Sequence, residues 1–217
     1  MMRIISPSFK VVTDLNREEI LRKIELAGRI SHKSEEKISE DSAAKFVKHL
    51  LKIGHESVLE HVNISVIIIC DRGVSHELVR HRLASYTQES TRYCDYAKKG
   101  EIAVIKPVFL TEGTEEYRVW KTAMELIEKS YFHLRDLGLK PEEARSVLPN
   151  SLKTEIFVTA NIREWRHIFE LRCNAAAHPQ MREIMVPLLQ LFQQKLTPLF
   201  DDFNIDLENN IALRASF

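Results

Sequence analysis

The chain has 217 residues, of which 44% are hydrophobic and 29% are charged, enough for one domain with a substantial buried core. Its 31 basic and 31 acidic side chains cancel, which argues against a protein that wraps a polyanion, since such proteins carry a basic face. The three cysteines, Cys70, Cys94 and Cys173, lie far apart, form neither a disulfide framework nor a zinc motif, and are typical of a reducing compartment.

The first third of the chain predicts helices between strands. The segment "RIISPSFKVVT" mixes β-branched with polar residues and predicts a strand. Asn16 and Glu19 form a capping pair at the start of a predicted helix through "REEILRKIELAGRIS". A second helix covers "SEDSAAKFVKHLLKIG" and stops at Gly54, and the apolar run "NISVIIICD" predicts a buried strand.

The next segment is predicted to be a basic helix. Ser75 is a candidate N-cap for a helix through "HELVRHRLAS". On such a helix Arg80 and Arg82 point about 200° apart, so they cannot clamp one small ligand together. They could bind two ligands or one ligand at a subunit junction, or they could belong to a solvated face with local ion pairs.

The C-terminal half predicts more helix than strand. Strands are expected in "EIAVIKP" and "KTEIFVTANI", and a short helix in "KPEEARSVLP". Asn161 and Glu164 form a capping pair for "REWRHIFELRC", and a last helix starts near Gln180 and is kinked or broken at Pro187. One apolar stripe on a long helix, typical of a core or a subunit interface, comprises Tyr117, Trp120, Met124, Ile127, Tyr131 and Leu134. Without strict βαβ alternation, the predicted class is α+β.

Cations and hydroxyls are concentrated between Arg80 and Arg92. These 13 residues hold three arginines, one histidine and two serines, a combination suited to phosphate. In a chain of zero net charge, this cluster favours a pocket for a small anion. Ser90 lacks a G-x-S-x-G elbow, which makes a serine hydrolase a weak interpretation.

Arg172 lies on the apolar stripe of its own predicted helix, with Trp165, Ile168 and Phe169. A cation in that position is costly unless it is paired. The pattern leaves three explanations open: a buried carboxylate partner, a side chain that reaches solvent, or an anionic ligand or group that becomes anionic during a reaction.

Several standard sites are absent from the sequence. "GHESVLEH" fits neither H-E-x-x-H nor H-x-x-E-H, so no metal site is predicted, and neither standard nucleotide loop occurs. The N-terminus lacks the apolar core of a signal peptide, and "ISVIIIC" is too short to span a bilayer. We therefore expect a cytoplasmic protein that crosses no membrane.

The chain resembles the flavin-dependent thymidylate synthase family. The family hallmark is R-H-R, seven residues and a serine, and here Arg80-His81-Arg82 is followed after seven residues by Ser90 and then by Thr91-Arg92-Tyr93. The segments "HESVLEH", "EARSVLP", "TANIREW" and "FELRCNAAAH" resemble further family segments in the same order. The resemblance covers essentially the whole chain.

This resemblance implies both a fold and an activity. The expected fold is one α+β domain over residues 1–217, with a mixed or antiparallel sheet flanked by long helices. The implied activity is the reductive methylation of dUMP to dTMP, with methylenetetrahydrofolate as the carbon donor and FAD, reduced by NADPH, as the hydride carrier. The family is a homotetramer with active sites at subunit junctions, which would make diverging Arg80 and Arg82 useful and would allow FAD to bind without a Rossmann loop.

The resemblance also assigns site residues. FAD-binding positions are Ser57, Arg80, His81, Arg82, Gln88, Asn161, Arg163 and His167. dUMP-binding positions are Glu77, Arg80, Gln88, Glu89, Ser90, Arg92, Arg145 and Arg172. His55 and Tyr93 are expected to line the flavin–folate face. The catalytic residues are Arg172, which stabilises negative charge on uracil, and Ser90, which positions and polarises the pyrimidine rather than attacking it.

Three positions depart from the family pattern. Thr87-Gln88 replaces the common Asn-Glu, so hydrogen bonding is kept at Gln88 and charge is lost. His167 replaces a commoner amide. Glu77 stands where a glutamine can occur, and since an ionised carboxylate beside phosphate is unfavourable, it is expected to contact a ribose hydroxyl or an arginine.

Two hypotheses from other classes are distinguishable. A nucleic-acid-binding module that uses residues 80–92 would bind oligonucleotides with steep salt dependence, although the zero net charge counts against it. In a structural oligomer without a ligand, Arg80, Arg82 and Arg172 would matter only to stability or assembly.

Overall fold

The computed structural model describes residues 2–215, which form a mixture of helices and strands. The strands are β1 (Arg3–Ile5), β2 (Ser8–Val11), β3 (Asn63–Asp71), β4 (Ser85–Gln88), β5 (Ala103–Ile105), β6 (Lys153–Asn161), β7 (Phe203–Asp206) and β8 (Ile211–Arg214). The α-helices are α1 (Arg17–Ile30), α2 (Ser42–Lys52), α3 (Arg72–Leu78), α4 (Tyr96–Lys99), α5 (Glu115–Asp136), α6 (Pro141–Ala144), α7 (Ile162–Arg172) and α8 (Pro179–Leu196). Short 3-10 turns span Glu35–Lys37, Glu56–His61 and Arg145–Val147.

The strands pair in both orientations, and the predicted α+β class is confirmed. β1 is parallel to β5, and β7 is antiparallel to β8. A four-stranded sheet has the order β2-β3-β6-β4. None of the helices within residues 2–215 is both long and apolar enough to cross a bilayer.

The described residues group into two compact units. Unit 1 comprises residues 2–9, 67–80 and 86–157, and unit 2 comprises residues 10–66, 81–85 and 158–215. The assignment of residues 1–217 to one domain stays a prediction.

The core of unit 1 forms around the apolar stripe of α5. Met124 and Tyr131 are buried in one cluster with Val104 and Leu152, and Trp120, Ile127 and Leu134 pack against it. Glu128 is also buried, and its carboxylate accepts hydrogen bonds from the backbone N–H groups of Met2 at 2.9 Å and Ile102 at 3.2 Å. The stripe predicted from the sequence is therefore part of a folded core, with one buried acid that ties the ends of β1 and β5 to α5.

The core of unit 2 is aromatic. Trp165 and Phe169 of α7 and Phe192 of α8 are fully buried with Phe200, with ring centroids 5.3–5.7 Å apart between successive pairs. Trp165 satisfies its indole N–H by donating to the carbonyl of Ile64 at 3.0 Å. Such contacts add specific geometry to the burial of large apolar area and hold α7 rigidly.

A buried ion network lies beside this aromatic core. The Arg166 guanidinium is fully buried and binds Asp202 through two hydrogen bonds of 2.8 and 2.6 Å, and it also donates to Glu56 and to the carbonyl of Leu199. Arg214 of β8 donates to the same two acids. Burial raises the pKa of Asp202, but hydrogen bonds from Arg166 outweigh it and hold that pKa below its usual value. The two cations and two anions compensate one another, which a buried ion requires.

Most predicted boundaries agree with the structure. Asn16 and Asn161 each accept the backbone N–H three residues later, at 3.3 and 2.8 Å, as the two capping pairs predict. Gly54, two residues after α2 ends, has a left-handed φ of +73°, which favours glycine. The N-terminal segment forms two strands, β1 and β2, rather than one. Pro187 lies inside α8, which continues through it and is not broken.

The predicted basic helix is wrong. Asp71 rather than Ser75 is the N-cap of α3, since the Asp71 Oδ1 accepts the backbone N–H of Val74 at 2.7 Å. The helix ends at Leu78, so Arg80, His81 and Arg82 lie in the turn that leads to β4. The inference that helical geometry directs Arg80 and Arg82 to opposite faces therefore loses its premise.

Candidate functional site

Unit 2 contains a polar cleft of about 610 Å³ along α7. Its lining residues are Glu56, Glu60, Leu83, Asn161, Arg163, Glu164, His167, Glu170 and Arg214. Three of the residues assigned to FAD by the resemblance, Asn161, Arg163 and His167, are among them. Asn161 lies here because β6 runs directly into α7, and its side chain caps that helix.

His81 is buried in unit 2 between an arginine and a glutamate. Only 5% of the residue is exposed, and its Nε2 accepts a hydrogen bond from Arg172 Nε at 2.9 Å. Its Nδ1 lies 3.6 Å from Glu164 Oε1, and its ring meets the His167 ring edge-on at 5.7 Å. Burial, with Arg172 and His167 nearby, lowers the pKa of His81 to about 4. The imidazole is therefore neutral at neutral pH.

Arg172 is half-buried at the end of α7. The sequence pattern left open which group its cation contacts, and the structure identifies one such group. A hydrogen-bond partner of its side chain is a neutral imidazole. That bond, to a neutral acceptor, orients the guanidinium. The arrangement suits a cation that interacts with a developing anion.

A second cleft of unit 2, of about 540 Å³, shares Glu56 and Arg163 with the first and contains His55 and Ser57. Apolar side chains form much of its wall, namely Phe46, Leu50, Ile53 and Val58. The Arg163 Nη1 lies 2.6 Å from Glu60 Oε1, and about half of each side chain is exposed. Such a pair is weak in water, so Arg163 can exchange Glu60 for a ligand.

The donors in unit 2 fit parts of a flavin dinucleotide. The apolar wall suits a planar ring, and the carboxylates and the amide of Asn161 suit hydroxyls and ring heteroatoms. The first cleft carries four glutamates against Arg163 and Arg214, a poor environment for a diphosphate. Arg82 of unit 2 is exposed, and no ion pair within residues 2–215 engages it. A diphosphate would require such a cation.

Unit 1 contains another cleft, of about 470 Å³, beside Gln88 and Glu89. Glu89 is fixed by Lys153, whose Nζ lies 2.8 Å away, and by the hydroxyl of Tyr96 at 3.2 Å. The Gln88 Nε2 donates to Ser75 Oγ at 2.9 Å and to Thr154 Oγ1 at 3.0 Å. Both amide hydrogens of Gln88 are thus used within unit 1, and its carbonyl oxygen is the group left for a ligand.

The remaining residues assigned to the nucleotide lie on a turn of unit 1 that follows β4. The Ser90 Oγ accepts the backbone N–H of Arg92 at 3.2 Å, and Arg145 Nη1 donates to Thr91 Oγ1 at 3.2 Å. Arg92 lies over the ring of Tyr93, which is 79% exposed. Glu77 is half-buried at the end of α3. The Ser90 partner is an N–H donor, not a base, which agrees with a positioning role better than with a nucleophile.

The assigned residues divide between the units largely by ligand. Most of the dUMP set lies in unit 1 and most of the FAD set in unit 2. The exceptions are Arg172, which lies in unit 2, and Arg80 and Gln88, which lie in unit 1. Sequence reasoning missed Lys153 and Arg214 as neighbours of the clefts, and it identified Glu164 only as a capping residue. Periodicity carries no signal for a pair such as Lys153 and Glu89, because their contact spans 64 positions.

Comparison with known proteins identifies relatives along most of the chain. Residues 12–198 match the family model for "Thymidylate synthase complementing protein". The chain is 36% identical to the flavin-dependent thymidylate synthase of Geobacter sulfurreducens, over 82% of this chain and 80% of that protein. It is 38% identical to that of Pyrococcus furiosus, over 75% of this chain and 68% of that protein.

Solved structures show the same fold. A UMP/dUMP methylase, PolB, from Streptomyces cacaoi bound with 5-Br dUMP matches with a TM-score of 0.72 and 24% identity, covering 92% of this chain and 96% of that one. The structure of the same methylase bound with 5-Br UMP matches with a TM-score of 0.74 and 19% identity, covering 92% and 95%.

Proposed function

Because the chain belongs to the thymidylate synthase complementing protein family, whose relatives include flavin-dependent thymidylate synthases, we propose that it methylates dUMP to dTMP. The family membership predicted from the R-H-R and serine spacing is thereby confirmed. The observation that carries the proposal is that residues 12–198 match the family model and include every residue assigned to the site, from His55 to Arg172.

The finer features of the proposal come from the resemblance. Methylenetetrahydrofolate is the proposed carbon donor, NADPH the reductant and FAD the cofactor, which when bound supplies the hydride that completes the methyl group. The protein is proposed to be a homotetramer with active sites shared between subunits. The exposed Arg80 and Arg82 support sharing, since two cations without an ion pair within residues 2–215 suit a ligand's phosphates.

The residues are assigned separate tasks. Arg82, Asn161, Arg163 and His167 would hold FAD with the help of Ser57, Arg80, His81 and Gln88. Glu89, Arg92 and Arg145 would bind dUMP together with Glu77, Arg80, Gln88, Ser90 and Arg172. The clamp of Lys153 on Glu89 supports this assignment, because it keeps a carboxylate oriented in a cleft. His55 and Tyr93 would line the flavin–folate face.

Arg172 is proposed to stabilise negative charge on the uracil ring. Its hydrogen bond to a neutral His81 orients the guanidinium at a half-buried position. Preorganised cations and donors of this kind are worth more in a water-poor site than in bulk water. Replacing Arg172 by alanine should lower turnover roughly 100- to 1,000-fold. The matched control, Arg118→Ala on the exposed face of α5, should leave turnover unchanged.

The first experiment is the visible absorbance of the purified protein after incubation with FAD and desalting, before and after dUMP is added. A retained flavin band that dUMP perturbs supports both ligands at once. Failure to retain flavin, together with no dUMP effect on flavin added back, would contradict the proposal. A salt series with oligonucleotides would then test the binding-module alternative.

A further inference from the structure

We propose that Glu164 and His81 form a hydrogen-bond and charge chain that positions Arg172, so that His81 affects turnover through the arginine in addition to the flavin contact assigned to it. The catalytic consequence rests on the proposed function, whereas the chain itself is a property of the folded protein. The resemblance assigns His81 to FAD and gives Glu164 no role in the reaction.

The first link fixes the plane of the guanidinium. Arg172 is the last residue of α7, and long side chains on a helix point back toward its N-terminus. Glu164 and His167, which lie beside His81, are in that direction along α7. The bond to His81 is made by Nε, at 2.9 Å. Since Nε belongs to the rigid planar group, anchoring it restricts rotation of both terminal nitrogens. An arginine whose Nε is anchored in this way loses less rotamer entropy when it binds a reacting group.

The second link fixes the histidine tautomer. Because Arg172 Nε–H is a donor, the Nε2 of His81 must be unprotonated to accept it. A neutral imidazole then carries its proton on Nδ1, which faces Glu164 Oε1 at 3.6 Å. At that distance the carboxylate acts electrostatically on the N–H, and both side chains are buried, so the interaction is poorly screened.

Glu164 is itself held in place by the start of α7. Its backbone N–H donates to the capping Asn161 Oδ1 at 2.8 Å, which sets the orientation of the first turn. The glutamate is buried, and desolvation raises its pKa. The hydrogen-bond and charge chain therefore runs from Glu164 at the capped start of α7, through His81, to Arg172 at the end of the same helix.

The environment of His81 explains why the link is stable. The charged and titratable groups that face its ring include Arg172, Glu164 and His167, all on α7. A second proton on His81 would oppose its Nε2–H to the Nε–H of Arg172. Its pKa of about 4 keeps the acceptor available at neutral pH.

The kinetic test compares two substitutions at the same position. His81→Leu removes the acceptor, whereas His81→Gln retains an amide oxygen near the place of Nε2. We expect His81→Leu, measured at saturating FAD, to lower kcat roughly 10- to 100-fold through misplacement of Arg172, with the KM for dUMP changed less than about threefold. His81→Gln should recover most of the loss. His133→Leu, an exposed histidine of α5, is the matched control.

A double-mutant cycle separates positioning from ligand binding. If His81 acts through Arg172, then His81→Leu has no further effect on kcat in an Arg172→Ala background. Multiplicative effects of the two substitutions, or full recovery of turnover in His81→Leu at saturating FAD, would overturn the proposal.

A measurement without substrates keeps the outcome separate from the proposed function. The ¹⁵N resonances of labelled histidine in the full-length protein should show His81 as the Nδ1–H tautomer at pH 7.5, and Arg172→Leu, which removes the donor to Nε2, should shift it toward Nε2–H. Observation of Nε2–H in the unaltered protein would disprove the chain, even for an active enzyme. The expected tautomer in a protein that forms no dTMP would instead reject the proposed function and leave the chain standing.

Discussion

At the scale of single residues, burial decides the chemistry of His81. An exposed histidine exchanges protons near pH 6.5, but this one is 5% exposed and has a guanidinium beside it. Both effects disfavour the imidazolium, and the folded protein therefore holds the ring neutral. The consequence is a stability that depends on pH through one buried side chain.

The sign of that dependence follows from the lowered pKa. As the pH falls below about 6.5, the unfolded chain protonates at His81 before the folded protein does, whose pKa is about 4. The stabilisation is therefore complete above pH 6.5 and is lost as the pH falls through 4. Urea unfolding at pH 7.5 and pH 4.5 should show a smaller drop for His81→Gln than for the unaltered protein. The opposing change from Glu164 remains in both proteins, so equal drops would contradict this prediction.

The second residue-scale prediction concerns Arg166. Replacing it by alanine leaves the buried Asp202 and the partly exposed Glu56 with Arg214 alone, and breaking a buried pair from one side costs about 3–5 kcal/mol of unfolding free energy. Arg118→Ala removes an exposed pair with Glu115 and should cost about 1 kcal/mol or less. Denaturant midpoints of both variants measure the difference. Similar losses would mean that water reaches the Arg166 network.

At the scale of secondary structure, elements with two agreeing signals were predictable. α1 and α7 combine an Asn cap with an apolar stripe, β3 is an apolar run rich in isoleucine, and β6 has the apolar centre "IFV". The boundary of α3 failed because Asp71 and Ser75 are both good capping residues and both stand before helix-forming sequence. Asp71 caps α3 because β3 ends at that residue. Where the strand ends depends on tertiary structure and not on the local sequence.

The start of α7 allows a prediction that separates folding from ligand binding. Asn161→Ala removes the acceptor for Glu164 N–H and should cost about 1 kcal/mol of stability. Asn161→Asp keeps the acceptor but loses the two amide N–H donors. It should retain stability while weakening FAD binding, if the amide contacts the flavin. Thermal unfolding and fluorescence titration of FAD measure the two effects, and loss of stability in both variants would show that the cap requires the amide itself.

At the scale of the whole molecule, the site was predictable as a set of residues but not as an arrangement. The family spacing identified site residues between positions 55 and 172. Only the folded chain shows that the Gln88 amide donates to Ser75 and Thr154, or that Lys153 donates to Glu89. Such pairings depend on which side chains meet across long sequence separations. Composition and period describe one segment at a time and cannot supply them.

The proposed assembly makes a further prediction at this scale. If active sites form at subunit junctions, the protein should sediment as four copies of the 25.2 kDa chain. FAD affinity should also fall on dilution into the range where that assembly dissociates. Analytical ultracentrifugation alongside FAD titration at several protein concentrations tests both statements. A monomer that binds FAD with concentration-independent affinity would rule out shared sites.

The ion network of Arg166 also bears on the order in which the nascent chain can fold. The residues of unit 1 up to position 157 leave the ribosome first, whereas the network around Arg166 is complete only after Asp202 and then Arg214 have emerged. Since segments fold as their partners emerge, we expect unit 2 to stay sensitive to protease until residue 214 is exposed. Proteolysis of ribosome-stalled chains of increasing length would reveal this delay, and early protection would show that the aromatic core suffices without its counter-charges.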